Sequence, residues 1–167
     1  SGAQCLWEMF MSRRDKKKKR RRASPQPAPM PARNPTGVPI CIIDHSPARW
    51  EPHIRQALTT IDPLLPASYP GLCYERGAVV PCDDLTAEAR SVVICEAPST
   101  PAPGAWAVTE FSRQDPPPKA RMILAAFATP NPTLIIHELH HALTGEVEHT
   151  GWEKKHPPFD AEKLPSL

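Results

Sequence analysis

Residues Asn131 to His149, NPTLIIHELHHALTGEVEH, constrain the fold of this chain more than any other stretch. Asn131 is a favourable N-cap, and Pro132 suits the first helical position, where its missing N–H costs nothing. Apolar residues then recur with helical spacing, and Gly145 follows as a residue that readily takes the left-handed conformation found at helix ends. The stretch therefore predicts a helix from Pro132 to Thr144.

The predicted helix contains His137-Glu138-Leu139-His140-His141, a match to the H-E-x-x-H metal-binding pattern. His137 and His141 are four residues apart, so both imidazoles project from one face of the helix and can reach one ion. Glu138 lies beside them, where it can take a proton from a zinc-bound water as that water attacks a carbonyl. His140 is expected on the other side of the helix rather than among the ligands. The motif thus predicts two zinc ligands and one catalytic base.

A catalytic zinc usually has three protein ligands and one position open to water, so a third ligand is needed. His149 is the best candidate, because Gly145 lets the chain turn and return a side chain towards the ion. Several other residues remain open as third ligands, and these are Glu146, Glu148, His156, Asp160 and Cys95.

With His149 the pattern reads H-E-x-x-H-x-x-x-G-x-x-x-H, and over Asn131–His149 the chain resembles the zincin superfamily of zinc metallopeptidases, in a minimal metzincin-like or SprT-like form. The glycine comes one residue later and the third histidine two residues later than in metzincins, so His149 fits that pattern only with about two residues inserted in the turn. The methionine turn of metzincins is absent, since no methionine follows Met122. The zinc-ribbon cysteines of some SprT-like peptidases are missing as well.

The resemblance implies Zn²⁺ as cofactor, His137, His141 and His149 as its ligands, Glu138 as catalytic residue, and a protein or peptide as substrate. A gluzincin-like or aspzincin-like site would instead take a carboxylate, for which Asp160 is best placed, and a deformylase-like site would take Cys95. Four residues are candidates for stabilising an oxyanion, and these are Tyr69, Tyr74, Arg121 and His156.

The part of the chain from residue 37 predicts a single α+β domain, in which a small mixed β-sheet packs on an N-terminal helix and on the zinc-binding helix. The N-terminal helix begins near Trp50 and ends before Pro63, because apolar residues repeat there with helical spacing. The predicted strands are Val38–Asp44, Ser91–Glu96, Ala105–Phe111 and Arg121–Phe127. Leu72–Val80 is predicted as a further strand or as a hairpin arm around Arg76-Gly77.

The zincin resemblance also implies an edge strand beside the metal-binding helix, which pairs with an extended substrate through backbone hydrogen bonds. Ala105–Phe111 or Arg121–Phe127 would take that role. Trp152 is expected to pack under the site. A large C-terminal subdomain is not expected, so the cleft should be shallow and open.

Residues 1–36 are predicted to form a basic, proline-rich tail outside the domain at 37–167. Arg13–Arg22 contains nine basic residues and one acid, whereas residues 37–167 contain 10 Lys and Arg against 16 Asp and Glu. So dense a basic run predicts non-specific contact with nucleic acid that weakens with salt. A nuclear localisation signal and a membrane-surface patch stay open.

The sequence contains no apolar run long enough for a transmembrane helix. No signal peptide is recognisable, which favours an intracellular location, with a nuclear or nucleic-acid-associated one open. The oligomeric state is not indicated.

The five cysteines are at positions 5, 41, 73, 82 and 95, and none forms a C-x-x-C pair. The four in the predicted domain allow up to two disulfides, and buried free thiols are an equal alternative. Cys73 and Cys82 are the most bridge-like pair.

The leading hypothesis is a zinc metallopeptidase with Glu138 as its base. The alternative is a non-enzymatic, zinc-stabilised binding or structural protein, tethered by its basic tail to nucleic acid or to an assembly. A third hypothesis keeps the peptidase but lets the tail direct it to nucleic-acid-bound proteins.

Overall fold

The computed structural model describes residues 37–167, so the predicted tail at 1–36 and its basic run Arg13–Arg22 lie outside the described residues. The described part is a mixed β-sheet of five strands with two α-helices, which confirms the predicted α+β class. The strands are β1 (Ile40–Asp44), β2 (Leu72–Arg76), β3 (Ser91–Ala97), β4 (Ala107–Phe111) and β5 (Lys119–Ala125). The helices are α1 (Glu51–Ile61) and α2 (Pro132–Thr144).

The sheet has the strand order β2-β1-β3-β5-β4. Strands β2, β1, β3 and β5 run parallel to one another, and β4 pairs antiparallel with β5 at one edge. Helices α1 and α2 pack against each other on one face of the sheet, where alternate strand residues such as Val92 and Ile94 join the core. The opposite face holds a smaller cluster of Cys82, Cys95 and Ile123.

Helix α2 spans Pro132–Thr144, as its end signals predict. The side chain of Asn131 accepts a hydrogen bond from the backbone N–H of Leu134 at 2.8 Å, which satisfies one of the free donors of the first turn. Gly145 ends the helix with φ of 73°, a left-handed conformation that costs a side-chain-bearing residue more than glycine. These local signals hold the H-E-x-x-H residues in one regular helix.

The strand ends differ by a few residues from the predicted ones. The last strand begins at Lys119 and ends at Ala125, not Phe127, because a tight turn follows in which the Ala128 N–H donates to the Ala125 carbonyl at 3.0 Å. Strand β2 ends at Arg76, and the predicted extension to Val80 is wrong. Strand β4 begins at Ala107, two residues after the predicted start.

Two disulfides cross-link the domain, Cys41–Cys73 and Cys82–Cys95. Cys41 and Cys73 lie opposite each other in the register of β1 and β2. Cys82 instead joins β3 through Cys95 on the sheet face away from the helices. The predicted Cys73–Cys82 pairing is therefore wrong, because strand register and not sequence spacing brings the sulfur atoms together.

Replacing Cys41 and Cys73 together with alanine is expected to lower the free energy of unfolding by about 3–4 kcal/mol, because a cross-link over a separation of 32 residues restricts the unfolded chain. Urea denaturation of the double variant measures this loss, with Cys5→Ala as the control. Peptide mapping without reduction should recover the Cys41–Cys73 and Cys82–Cys95 fragments. A Cys73–Cys82 fragment would contradict the pairing.

Candidate metal centre

Three histidines converge at one end of the cleft between α2 and β4. The Nε2 atom of His149 lies 3.0 Å from Nε2 of His137 and 3.2 Å from Nε2 of His141. His137 and His141 lie one turn apart on α2, and His149 returns from the loop after the helix. Each ring thus presents the same nitrogen to one common point.

The spacing of these nitrogens fits a tetrahedral zinc. Zinc binds imidazole nitrogen at about 2.0–2.1 Å, so two ligands at a tetrahedral angle lie roughly 3.3 Å apart. The observed separations of 3.0 and 3.2 Å are close to that value. Among residues 37–167, His137, His141 and His149 form a group whose ligand atoms all lie within 4.8 Å of one another.

The chain that brings His149 back is shaped by two glycines in left-handed conformations, Gly145 with φ of 73° and Gly151 with φ of 89°. In the segment between these glycines, the carbonyl oxygen of Glu146 lies 2.6 Å from Nδ1 of His141. A carbonyl can only accept, so Nδ1 carries the proton and Nε2 is left free to bind a metal. One hydrogen bond thus sets the tautomer of His141 and holds the start of the loop.

The environment of His137 favours its neutral form. Burial, together with the neighbouring charges of His141 and His149, lowers the pKa of His137 to about 4. A neutral imidazole is the form that coordinates a metal, and a ring that stays unprotonated needs to release no proton when the ion binds.

Glu138 lies beside the three histidines and is nearly buried, with 5% of its surface exposed. Its Oε2 accepts a hydrogen bond of 2.6 Å from the Thr109 hydroxyl of β4. Burial raises the pKa of Glu138, while the Thr109 hydrogen bond opposes that rise. A carboxylate with a raised pKa is a stronger base, which suits a group that has to accept a proton.

These side chains open onto a cleft of about 510 Å³. One wall is β4, from Ala107 to Phe111, and the other is formed by His137, Glu138 and His141 of α2. Within the described chain, β4 pairs with β5 on one side only and has no strand on its other side. Ala105–Phe111 and Arg121–Phe127 are the two strands predicted as the edge. The edge strand is β4, which corresponds to Ala105–Phe111, because β5 is internal.

The indole of Trp152 packs against the three histidine rings, as predicted. This residue is 1% exposed, and its ring centroid lies 4.7 Å from that of His137, 5.1 Å from His141 and 5.3 Å from His149. His140 points away from the common nitrogen point and is fully buried against the indole. Burial lowers the pKa of His140 to about 4, so its ring is neutral.

The other third-ligand candidates lie apart from the histidine group within the described chain. Cys95 is bonded to Cys82 on the opposite sheet face, and the Asp160 carboxylate pairs with Lys155 at 3.0 Å. The backbone carbonyl of Glu146, and not its side chain, contacts His141. Glu148 and His156 are exposed. Among the described residues, the group that contains His137 and His141 is completed by His149 and by none of these five candidates.

The predicted oxyanion-stabilising residues lie outside the cleft lining. The hydroxyls of Tyr69 and Tyr74 donate to the Pro165 carbonyl and the Asp44 carboxylate, at 2.8 and 2.6 Å. Arg121 is bound to Glu110 at 2.6 Å, and His156 is exposed. The structure therefore brings none of these four candidates to the cleft lining.

Thr109 is the site residue that the sequence does not single out. It lies in a predicted strand, 29 residues from Glu138, and looks like any β-branched residue of an edge strand. The pairing of β4 with β5 and the packing of α2 on β4 bring it to the carboxylate, and neither leaves a local sequence signal.

Comparison of the chain with protein-family models, with curated proteins and with solved structures found no match. The described fold is that of a single-domain α+β protein. The site itself has to be interpreted from its own geometry.

In the hydrolysis proposed in the next subsection, replacing Thr109 with valine is expected to lower kcat about 10-fold, in the range that outer partners of site residues contribute. Valine keeps the branched shape and removes the donor that orients Glu138. Zinc content should not change, since Thr109 is not a ligand. Steady-state kinetics and metal analysis check this result. Thr59→Val, which removes a hydroxyl bonded within α1, is the control. An unaltered kcat in Thr109→Val would contradict the orienting role.

Proposed function

We propose that this protein is a zinc-dependent peptidase that hydrolyses peptide bonds in an extended substrate. The observation that supports the proposal most strongly is the convergence of three Nε2 atoms, 3.0 and 3.2 Å apart, at an open cleft. A hydrogen-bonded carboxylate, Glu138, and the edge strand β4 border the same cleft. The arrangement unites a metal site, a base and a peptide-binding edge.

Each residue has a definite task in this proposal. His137, His141 and His149 bind the ion through Nε2, and the Glu146 carbonyl holds the tautomer of His141. When bound, zinc supplies Lewis-acid chemistry, polarising the substrate carbonyl and lowering the pKa of a water. Glu138 accepts the proton of the attacking water through its carboxylate. It then donates that proton to the amide nitrogen as the C–N bond breaks, which releases a carboxylate and an amine.

Strand β4 supplies the surface for the substrate backbone. An edge strand exposes a row of unpaired N–H and C=O groups, which can add an extended peptide as a further strand. The cleft lining includes Val108, Thr109 and Glu110 of this strand, together with the histidines. A peptide paired with β4 would therefore pass along the three imidazoles.

The alternative of a non-enzymatic zinc site is less well supported. A structural zinc is normally enclosed by four protein ligands, whereas a catalytic zinc keeps one position open. Among the described residues, the group contains three His and no fourth Cys, Asp or Glu. His149 is exposed at the cleft, so solvent reaches the point where the nitrogens meet.

Metal removal and return tests the proposed reaction. Treatment of the full chain with 1,10-phenanthroline should abolish cleavage of unfolded casein, and one equivalent of zinc should restore it, because the three histidines provide one site. Fragment masses identify the cleaved bonds. A zinc-loaded chain that leaves casein and a library of quenched fluorescent peptides uncut would contradict the proposal.

The basic run Arg13–Arg22 stays a predicted nucleic-acid contact, and delivery of the peptidase to nucleic-acid-bound proteins stays a hypothesis. Within residues 37–167, no helix combines the length and apolar character needed to cross a membrane. The expected intracellular location is untested. The Cys41–Cys73 and Cys82–Cys95 bonds count against a reducing compartment, because structural disulfides persist mainly in oxidising ones.

A further inference from the structure

Trp152 occupies an unusual place for a buried tryptophan, because it lies between ligand rings and another histidine. Its ring centroid is within 5.3 Å of the rings of His137, His141 and His149. On the indole itself, His140 stacks with centroids 3.8 Å apart and planes 13° from parallel. This stack fixes the orientation of the indole against α2.

The second observation is a hydrogen bond of the indole N–H. Nε1 of Trp152 donates to the carbonyl oxygen of Glu148 at 3.2 Å, and Glu148 directly precedes His149 in the chain. A second hydrogen bond attaches the same loop to α2, since Nδ1 of His141 lies 2.6 Å from the Glu146 carbonyl oxygen. Segment 145–151 is thus held at two carbonyls that precede His149, that of Glu146 by His141 of α2 and that of Glu148 by Trp152.

The stacked His140 explains why the indole is held so closely. Neither ring nitrogen of His140 has a hydrogen-bond partner among the described residues, and the ring is fully buried. Phe159 packs edge-on against the same ring, with centroids 5.5 Å apart. The His140 ring therefore serves as an aromatic surface for Trp152, and it is absent from the group of possible ligands, in agreement with the prediction for it.

From these contacts we infer that Trp152 is a positioning residue for the third metal ligand. The indole supports the faces of the ligand rings, and its N–H holds the backbone immediately before His149. Trp152 is absent from the cleft lining, so it acts through His149 and not on the substrate. The inference rests on the zinc site of the proposed function, but it does not depend on hydrolysis.

The physical reason is the cost of ordering the loop. His149 is exposed and lies in a segment bounded by two left-handed glycines, Gly145 and Gly151. Without the two carbonyl contacts, metal binding would have to fix the backbone and the imidazole at once, which opposes binding through lost conformational entropy. Outer-shell groups of this kind typically change metal affinity 10–100-fold when they are removed.

The test compares Trp152→Phe with Trp50→Phe in the full chain. Trp50 is a matched control, because it is also fully buried and its Nε1 donates to Glu96 at 2.7 Å, away from the histidines. Zinc affinity is measured by competition with a chromogenic chelator, and the visible spectrum of the Co²⁺-substituted protein reports ligand geometry.

Trp152→Phe is expected to weaken zinc binding about 10–100-fold and to shift the Co²⁺ spectrum. Trp50→Phe should lower thermal stability yet keep the affinity and the spectrum of the parent chain. The inference is overturned if Trp152→Phe leaves both unchanged, or if Trp50→Phe weakens zinc binding equally. If Trp152→Phe does not fold, β-(3-benzothienyl)alanine at position 152 keeps the two-ring shape without the N–H, and the same two outcomes decide.

The same measurements separate this inference from the proposed function. A parent chain that binds zinc through three histidines but cuts no peptide would contradict the peptidase and leave the role of Trp152 intact. A parent chain that hydrolyses peptides, with zinc affinity and Co²⁺ spectrum unaltered in Trp152→Phe, would contradict only the positioning role.

Discussion

Replacing Glu138 with glutamine is expected to reduce peptide hydrolysis by at least about 100- to 10,000-fold, the range supplied by a positioned general base. Glutamine has nearly the same shape and can still accept the Thr109 hydrogen bond, now observed at 2.6 Å to Oε2. It cannot take a proton from water. Zinc binding should persist at one equivalent, because the three imidazoles that form the group are untouched.

The control for this variant is Glu148→Gln. Glu148 is exposed, and its backbone carbonyl, not its carboxylate, contacts Trp152. Its substitution should leave kcat/KM and zinc content unchanged. Full turnover in Glu138→Gln would rule out this carboxylate as the base. Loss of zinc in Glu148→Gln would instead reopen its role as a ligand.

Replacing His149 with alanine is expected to weaken zinc binding by more than about 100-fold, beyond the effect of removing an outer partner of a ligand. Two histidines on α2 would remain, and their ion would lose the nitrogen that now lies 3.0 and 3.2 Å from theirs. Hydrolysis should fall with occupancy. Isothermal titration with zinc and a parallel activity assay measure both effects.

His156→Ala is the control for the third ligand, since His156 follows the same motif but lies exposed outside the cleft. Unchanged affinity in His156→Ala with strong loss in His149→Ala supports the ligand set. The reverse pattern would mean that the loop rearranges on metal binding and that His156 takes the position.

The parts of the fold that the sequence predicts well are those with local signals. Helix α2 begins and ends where predicted, because Asn131, Pro132 and Gly145 act on their own neighbours. The five strands occur where apolar runs predict them, but β1, β4 and β5 are displaced by two residues at their starts. Strand ends depend on pairing partners, and those partners are distant in sequence.

Long-range pairing explains the errors. Cys41 and Cys73 meet because β1 and β2 are adjacent and in register, which spacing between cysteines does not reveal. The choice between two edge strands likewise required the sheet order. Thr109 has no recognisable sequence signal for the same reason, since its hydrogen-bond partner Glu138 is 29 residues away in the chain.

The predicted ligand group follows from helical spacing for two residues and from a glycine turn for the third. The structure brings His137, His141 and His149 together, whereas their zinc ligation and the activity stay predictions. The sequence does not specify the geometry of this turn, because glycine permits many backbone directions. Trp152 and the Glu146 carbonyl select one of them.

X-ray absorption at the zinc edge of the zinc-loaded full chain tests the metal centre most directly. The expected result is one zinc per chain bound by three imidazole nitrogens at about 2.0 Å, with a fourth light-atom ligand from solvent. His149→Ala should lose one imidazole from that set. Sulfur ligands at about 2.3 Å, four protein ligands, or no stoichiometric zinc would contradict an open three-histidine site.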